Sequence, residues 1–222
     1  MLATVRRATS ADADEVLARL ADLVQQRPDI KWVMLMDDDT IPTETAAAEL
    51  VGAVQEQPGV TVAGSRVIWT DGQDHPMNTP REKPFVSGAE RSRAAAGGFL
   101  AVRSSSFVSM LVSAAAVRAH GLPVADYFIW NDDFEFSTRI LRRSRGVFVP
   151  SSVVVHKTKK LGATDLDPGE RFFFEVRNKV WLFGRSTGLT PTEKLLYGGS
   201  TVRRWGRTFA RSADRRTLAR GL

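Results

Sequence analysis

The sequence contains no cysteine, which excludes disulfides, thiolate metal sites and a cysteine nucleophile together. Without thiolates any metal must be held by oxygen and imidazole, and histidine is scarce, with 3 in 222 residues. No hydrophobic stretch approaches the roughly 18 uninterrupted apolar residues that suggest a membrane span. Met1 to Ser10 lacks the apolar core of a secretion signal, which makes the cytosolic side the expectation. There are no internal repeats.

A chain of 222 residues is most simply one domain with a substantial core. Its net charge of +6 has a single source. Arg203, Arg204, Arg207, Arg211, Arg215, Arg216 and Arg220 stand against Asp214 alone, so everything before Arg203 is balanced. A neutral body with a cationic end points to a patch that touches something anionic. The arginines surround Trp205, Phe209 and Leu218, as in a basic amphipathic helix on a membrane surface. A solvated, frayed terminus is the plainer alternative. Aromatic platforms beyond Trp205 and Phe209 are missing, so a nucleic-acid partner is not expected.

The central stretch is Lys31 to Pro42, KWVMLMDDDTIP. The apolar run Trp32 to Met36 stops on Asp37, Asp38 and Asp39, and reads as a buried strand of a parallel sheet. Ligands of open α/β sheets bind beyond the carboxyl ends of their strands. Three acids placed there repel one another unless something positive sits among them. A hard divalent cation shared with substrate phosphates is the natural occupant. The alternative is that one Asp caps the following helix while the others are solvated.

Apolar spacing predicts a helix over Ala11 to Gln26, ended by Pro28, and a second over Thr43 to Gln57, stopped by Pro58 and Gly59. With a strand over Val60 to Trp69, this makes a strand, helix, strand unit of the parallel type. Thr70 to Pro84 is a long polar loop in which nothing marks His75. Two apolar pieces flank Gly97 and Gly98, and a helix from Ala114 to His120 closes on Gly121. His120 suits that helix end structurally.

A second acidic group is Trp130, Asn131, Asp132, Asp133, Phe134, Glu135, at the start of a helix continued by Phe136, Ile140 and Leu141. Asp132 with Glu135 fits a capping box. Asp133 is left without a structural duty; the helix dipole should hold it ionised, as suits a proton acceptor. Gly146 to His156 reads as two short strands joined at Pro150, with His156 at the end of a buried run. The basic loop Lys157 to Glu170 is placed to cover a diphosphate. Arg171 to Arg185 is a strongly apolar helix, so Arg177 inside it must find an anionic or carbonyl partner.

The order MDDDTIP, WNDDFE, VVVHK and RFFFEVRN resembles the family 2 glycosyltransferases of the GT-A fold, in the branch with rhamnosyl and galactofuranosyl transferases. The resemblance runs from about Trp32 to about Gly184. It implies an α/β fold with a mostly parallel sheet flanked by helices. The function it implies is inverting transfer of a rhamnose- or galactofuranose-type sugar from a UDP or dTDP sugar to a hydroxyl of a glycan or lipid-linked acceptor. By the same resemblance, Asp37, Asp39 and His156 would hold Mg²⁺ or Mn²⁺, and Asp38 and Arg177 would face the donor. Asp133 would be the base, with Trp130 and Asp132 on the acceptor side.

The family begins with nucleoside-binding units ahead of its acidic triplet, for which Met1 to Lys31 leaves no room. The expected layout is a partial GT-A domain over 1–202 and a basic tail over 203–222, cytoplasmic and peripheral on the inner face of the plasma membrane. A non-catalytic fragment that binds a membrane or a partner is the alternative. A metal-dependent nuclease or phosphatase is the enzymatic rival, since clustered carboxylates also build two-metal sites.

Overall fold

The computed structural model describes residues 13–78, 80–158, 161 and 168–221. Helix α1 (Ala13–Gln26) leads to β1 (Trp32–Leu35), the acidic triplet and a short β2 (Thr40–Pro42). Then come α2 (Ala46–Glu56), β3 (Val60–Ile68), α3 (Gly88–Ala96), β4 (Leu100–Val102), β5 (Met110–Ser113) and α4 (Ala114–His120). Helix α5 (Asp132–Ile140), β6 (Arg145–His156), α6 (Phe172–Gly184), α7 (Pro191–Arg211) and α8 (Arg215–Arg220) complete the chain.

The α/β class holds, and the mostly parallel sheet does not. Six strands run in the order β1-β5-β3-β6-β2, with β4 also on β6. Among the described residues only β3 and β6 pair in parallel; the other ladders are antiparallel. The expected β1, α2, β3 crossover is present, but β5 slots between its two strands. Val112 of β5 faces Val33 on one side and Val62 on the other. A later segment running the opposite way thus fills the gap, which hydrophobic periodicity cannot reveal. Strand β1 lies at the sheet edge rather than at its centre.

Each face of the sheet is covered. Met110 and Val112 join Leu20, Val24, Val117, Phe136 and Ile140 under α1, α4 and α5. Leu111, between them in sequence, points to the other face with Leu50 and Val54 of α2, the two-residue alternation of a strand.

Strand β6 is one strand of 12 residues, not two. Its pairing with β3 jumps from Ser65↔Val149 to Arg66↔Val153, a bulge at Pro150. Proline offers no N–H to a ladder and belongs at such a site. The bulge inserts an odd number of residues, so the buried positions change from Val147 and Val149 to Ser152, Val154 and His156. Ser65 Oγ bridges the gap to Ser109 and Ser152, each at 2.7 Å.

Helix α3 had no counterpart in the hydrophobic pattern, because its buried side is little more than Ala94. Its signal lies in its cap, where the Ser87 hydroxyl accepts from Glu90 N. At the C-terminal end, the division expected at 202/203 falls inside α7. Trp205, Phe209 and Leu218, the apolar residues expected to meet a lipid surface, pack on Phe172 and Val176. No helix among the described residues is long and apolar enough to cross a membrane.

Helix α7 is anchored by a capping box of Thr190 and Glu193. Arg103 Nε, buried, donates to Glu193 Oε1 at 2.6 Å, and its other nitrogens reach Thr138 O and Gly188 O. One guanidinium therefore ties β4, α5 and α7 together. Arg103→Leu strands a buried carboxylate and is expected to cost about 3 to 5 kcal/mol in denaturant unfolding, whereas Arg103→Leu with Glu193→Leu should recover most of it.

Candidate functional site

The acidic triplet lies on the turn between β1 and β2. Strand β2 pairs with the end of β6, setting Thr40 opposite His156, and Lys157 N donates to Asp39 O at 2.9 Å. This register brings together residues more than a hundred positions apart. One ligand atom each from Asp37, Asp39 and His156 lies within 4.8 Å of the others. His156 Nε2 is 3.1 Å from Asp39 Oδ1. Asp38 is exposed and is not one of the three.

The donors suit a hard divalent ion. Asn78 Oδ1 lies 3.2 Å from His156 Nδ1, so an Nδ1–H can donate there and leave the Nε2 lone pair directed at the carboxylates. His75 packs against His156 with ring centroids 5.0 Å apart, and its Nε2 lies 3.0 Å from Thr158 Oγ1. Burial and then the neighbouring imidazole push His75 below the usual histidine range, which outweighs the pull of Asp39. Although Asp37 is exposed at its edge, its carboxyl is withdrawn from water in the crevice and is pushed up to about 6. Asp39, Asp132 and Asp38 add to that rise, and His156 opposes it. A corner this rich in anions favours a cation. Neither His75 nor Asn78 was found from the sequence, since each sits singly in a polar loop. Of the basic loop expected to cover a diphosphate, residues 159–160 and 162–167 lie outside the described residues.

The second acidic group opens α5, but not through a capping box. The N-cap is Asn131, with no side-chain cap bond, and Glu135 is instead buried against Arg139 Nε and Ser186 Oγ. Phe128, Trp130 and Asn131 all have positive φ, at 60°, 65° and 66°. Asparagine tolerates that region; for the two aromatics it costs on the order of 1 to 3 kcal/mol each.

The Arg177–Asn178 pair holds this strained loop. Asn178 Nδ2 lies 2.9 Å from Tyr127 O and 2.8 Å from both Ile129 O and Trp130 O. With two hydrogens for three acceptors, at least one bond is shared. Arg177 Nε donates to Asn178 Oδ1, and its Nη2 donates to Asp126 O and Tyr127 O. The guanidinium also lies 4.5 Å from the Trp181 ring. Arg177, half-buried, therefore finds the carbonyl partners expected of it and holds the loop in place.

Asp133 borders a cavity of about 930 Å³ whose wall also includes Asn78, Ser106, Asn131, Phe134 and Lys179. Neither Asp132 nor Trp130 is part of that wall; Trp130 instead lines a small recess with Glu175 and Trp205. Asp133 Oδ1 accepts from Phe134 N at 2.6 Å. Burial, then the adjoining Asp132 carboxylate, holds Asp133 well above the ordinary carboxylate range. Desolvation thus outweighs the helix dipole, which had been expected to keep it ionised. Lys179 is the residue the sequence reading passed over. It lies in the same apolar helix that made Arg177 conspicuous, two residues further on.

No family model matches the chain, and no curated protein matches it. Among solved structures, GalNAc-T7 with UDP, GalNAc and Mn²⁺ is similar at 14% identity and TM-score 0.48, over 73% of this chain and 34% of that one. A197 from STIV is similar at 14% identity and TM-score 0.46, over 70% and 71%. The chain spans about a third of the length of the first.

Replacing Asn178 by alanine removes a donor from Tyr127 O, Ile129 O and Trp130 O, of which Tyr127 O keeps Arg177 Nη2. It is expected to cost about 1 to 3 kcal/mol in thermal or chemical unfolding, with amide exchange at 127–131 accelerating more than in the sheet.

Proposed function

We propose that this chain carries the metal-binding and proton-accepting residues of an inverting, metal-dependent glycosyltransferase. What supports the reading above all is the convergence of Asp37, Asp39 and His156 at one corner, with Asp133 in the adjoining cavity. Its motif order resembles the family 2 enzymes. On this reading the donor is a UDP or dTDP sugar of the rhamnose or galactofuranose type, and the acceptor offers a hydroxyl of a glycan or glycolipid.

Asp37, Asp39 and His156 would hold Mg²⁺ or Mn²⁺, which when bound offsets the negative charge that grows on a departing diphosphate. The chain's own residues do the rest. Asn78 orients His156 through Nδ1. The Arg177–Asn178 clamp fixes the loop that delivers α5, and so the position of Asp133. An acceptor hydroxyl in the cavity is a poor nucleophile until Asp133 takes its proton. The new bond to the anomeric carbon forms as the bond to the diphosphate oxygen breaks on the opposite face, so configuration inverts and no sugar is attached to the enzyme. A two-metal nuclease would need a second ligand set, and Asp37, Asp39 and His156 are the single such group among the described residues.

Calorimetry with Mn²⁺ and UDP or dTDP is expected to show metal-dependent nucleotide heat that Asp37→Asn with Asp39→Asn removes. A wild-type chain giving no such heat would leave only the scaffold alternative. Asp133→Asn should lower transfer by about 10²- to 10⁴-fold with donor binding retained.

The raised pKa of Asp133 also fixes two signs. The acid limb of the transfer rate should lie well above the range of an ordinary carboxylate, because the base works only when ionised. A folded-state pKa above the unfolded one means stability falls as pH rises between the two values. Asp133→Asn should therefore raise the thermal midpoint at neutral pH; an unchanged midpoint together with surviving turnover refutes its assignment as the base.

A further inference from the structure

We infer that the cavity beside Asp133 contains an anion subsite for a phosphate or diphosphate on the acceptor, with Lys179 at its floor and Arg81, Arg203 and Arg207 at its rim. This deepens the transferase reading and rests on it for the word acceptor.

Lys179 carries most of the inference. Its side chain is more than nine-tenths buried, at 8% exposure, yet no hydrogen-bond acceptor among the described residues reaches Nζ. The ammonium instead faces rings, 4.9 Å from the centroid of Phe134 and 6.0 Å from that of Phe183. Nζ is not sealed from solvent, and Lys179 lines the cavity, so a cation stripped of most of its hydration is open to an anion from that side. Nor is the position accidental, since Lys179 follows directly on Asn178, whose bonds to the loop before α5 fix this turn of α6. Burial pushes Lys179 down to about 8, against the attraction of Glu175 and Asp133, which leaves it largely charged at neutral pH.

The rim supplies the second observation. Arg203 and Arg207 stand one turn apart on α7 and both border the cavity, with Arg81 from the long polar loop. Arg204 is taken by Glu175. Arg81, Arg203 and Arg207 have no carboxylate partner among the described residues. Cations from three elements therefore converge on one space, where they outnumber the carboxylates of the wall, Asp133 and the Arg91-paired Glu82, and favour an anion.

Asp37, Asp39 and His156 are not part of that wall, whereas Asp133 is. In the proposed reaction the donor diphosphate belongs to the carboxylate corner, so the cation-lined space falls to the other substrate. Leu195 and Leu196, 78% and 47% exposed, also border the cavity. They offer an apolar flank to an acceptor whose phosphate is carried by a lipid.

The test is calorimetry of the full chain with inorganic pyrophosphate in EDTA. Wild type and Asp37→Asn with Asp39→Asn are expected to bind alike, while Lys179→Met weakens binding by about tenfold or more. Lys179→Met replaces a buried ammonium by an apolar chain of similar length, so its thermal midpoint should hold or rise. Arg203→Ala with Arg207→Ala, at exposed positions, should weaken binding without relying on that core change. No metal-free binding, or binding indifferent to these variants, overturns the subsite. Binding that needs Mn²⁺ and Asp37 assigns the anion to the donor corner and also overturns it. If pyrophosphate binds as expected while the Mn²⁺-dependent UDP and dTDP heat is absent, the subsite stands and the transferase reading falls. Phosphatidylcholine vesicles with and without a polyprenyl diphosphate separate the sources. Lysine-dependent capture assigns a lipid-carried phosphate, and no capture with pyrophosphate binding retained assigns a soluble one.

Discussion

Thr40 faces His156 across an antiparallel ladder that is only three residues long on the β2 side, and the arrangement of the whole acidic corner depends on that register. A slip of one residue would turn the imidazole to the opposite face of the sheet. The bulge at Pro150 sets the phase. It shifts the buried positions of β6 by an odd step, so that His156, rather than Val155, is buried toward Asp39. Without it, the same valine run would present the wrong residue.

A second constraint is stored strain. Three residues with positive φ precede α5, two of them aromatic, and nothing in their own chemistry would keep them there. Asn178 and Arg177 hold the loop through its carbonyls. Asn131 Nδ2 donates to Glu175, which also receives Arg204 and Trp205 Nε1. The position of Asp133 is therefore tied to α6 and α7 together. An asparagine in a buried helix thus supports Asp133 from behind, through three loop carbonyls and the Arg177 side chain.

Charge is divided in the same way. The acids gather beyond β1 and at the start of α5, and cations from α6, α7 and the long polar loop line the cavity that Asp133 borders. The basic C-terminal segment looks like a surface feature when read as composition. Its apolar residues are consumed by packing on Phe172, which turns Arg203 and Arg207 toward the cavity instead of leaving them on a loose tail.

Much of this was legible in local pattern. The α/β class, helices α1, α2, α4 and α6, the acidic triplet at a strand end and His156 at another follow from periodicity and punctuation, because burial of a helix stripe or a strand run is written in nearby residues. Strand direction was not, since β5 enters between β1 and β3 from far along the chain. The parity of β6, the neighbours of His156, the clamp role of Arg177 and Asn178, and the isolation of Lys179 were likewise invisible. Each is a matter of which distant group arrives, and whether it brings an acceptor or withdraws water. Such contacts depend on long-range packing, and no spacing within the chain encodes them.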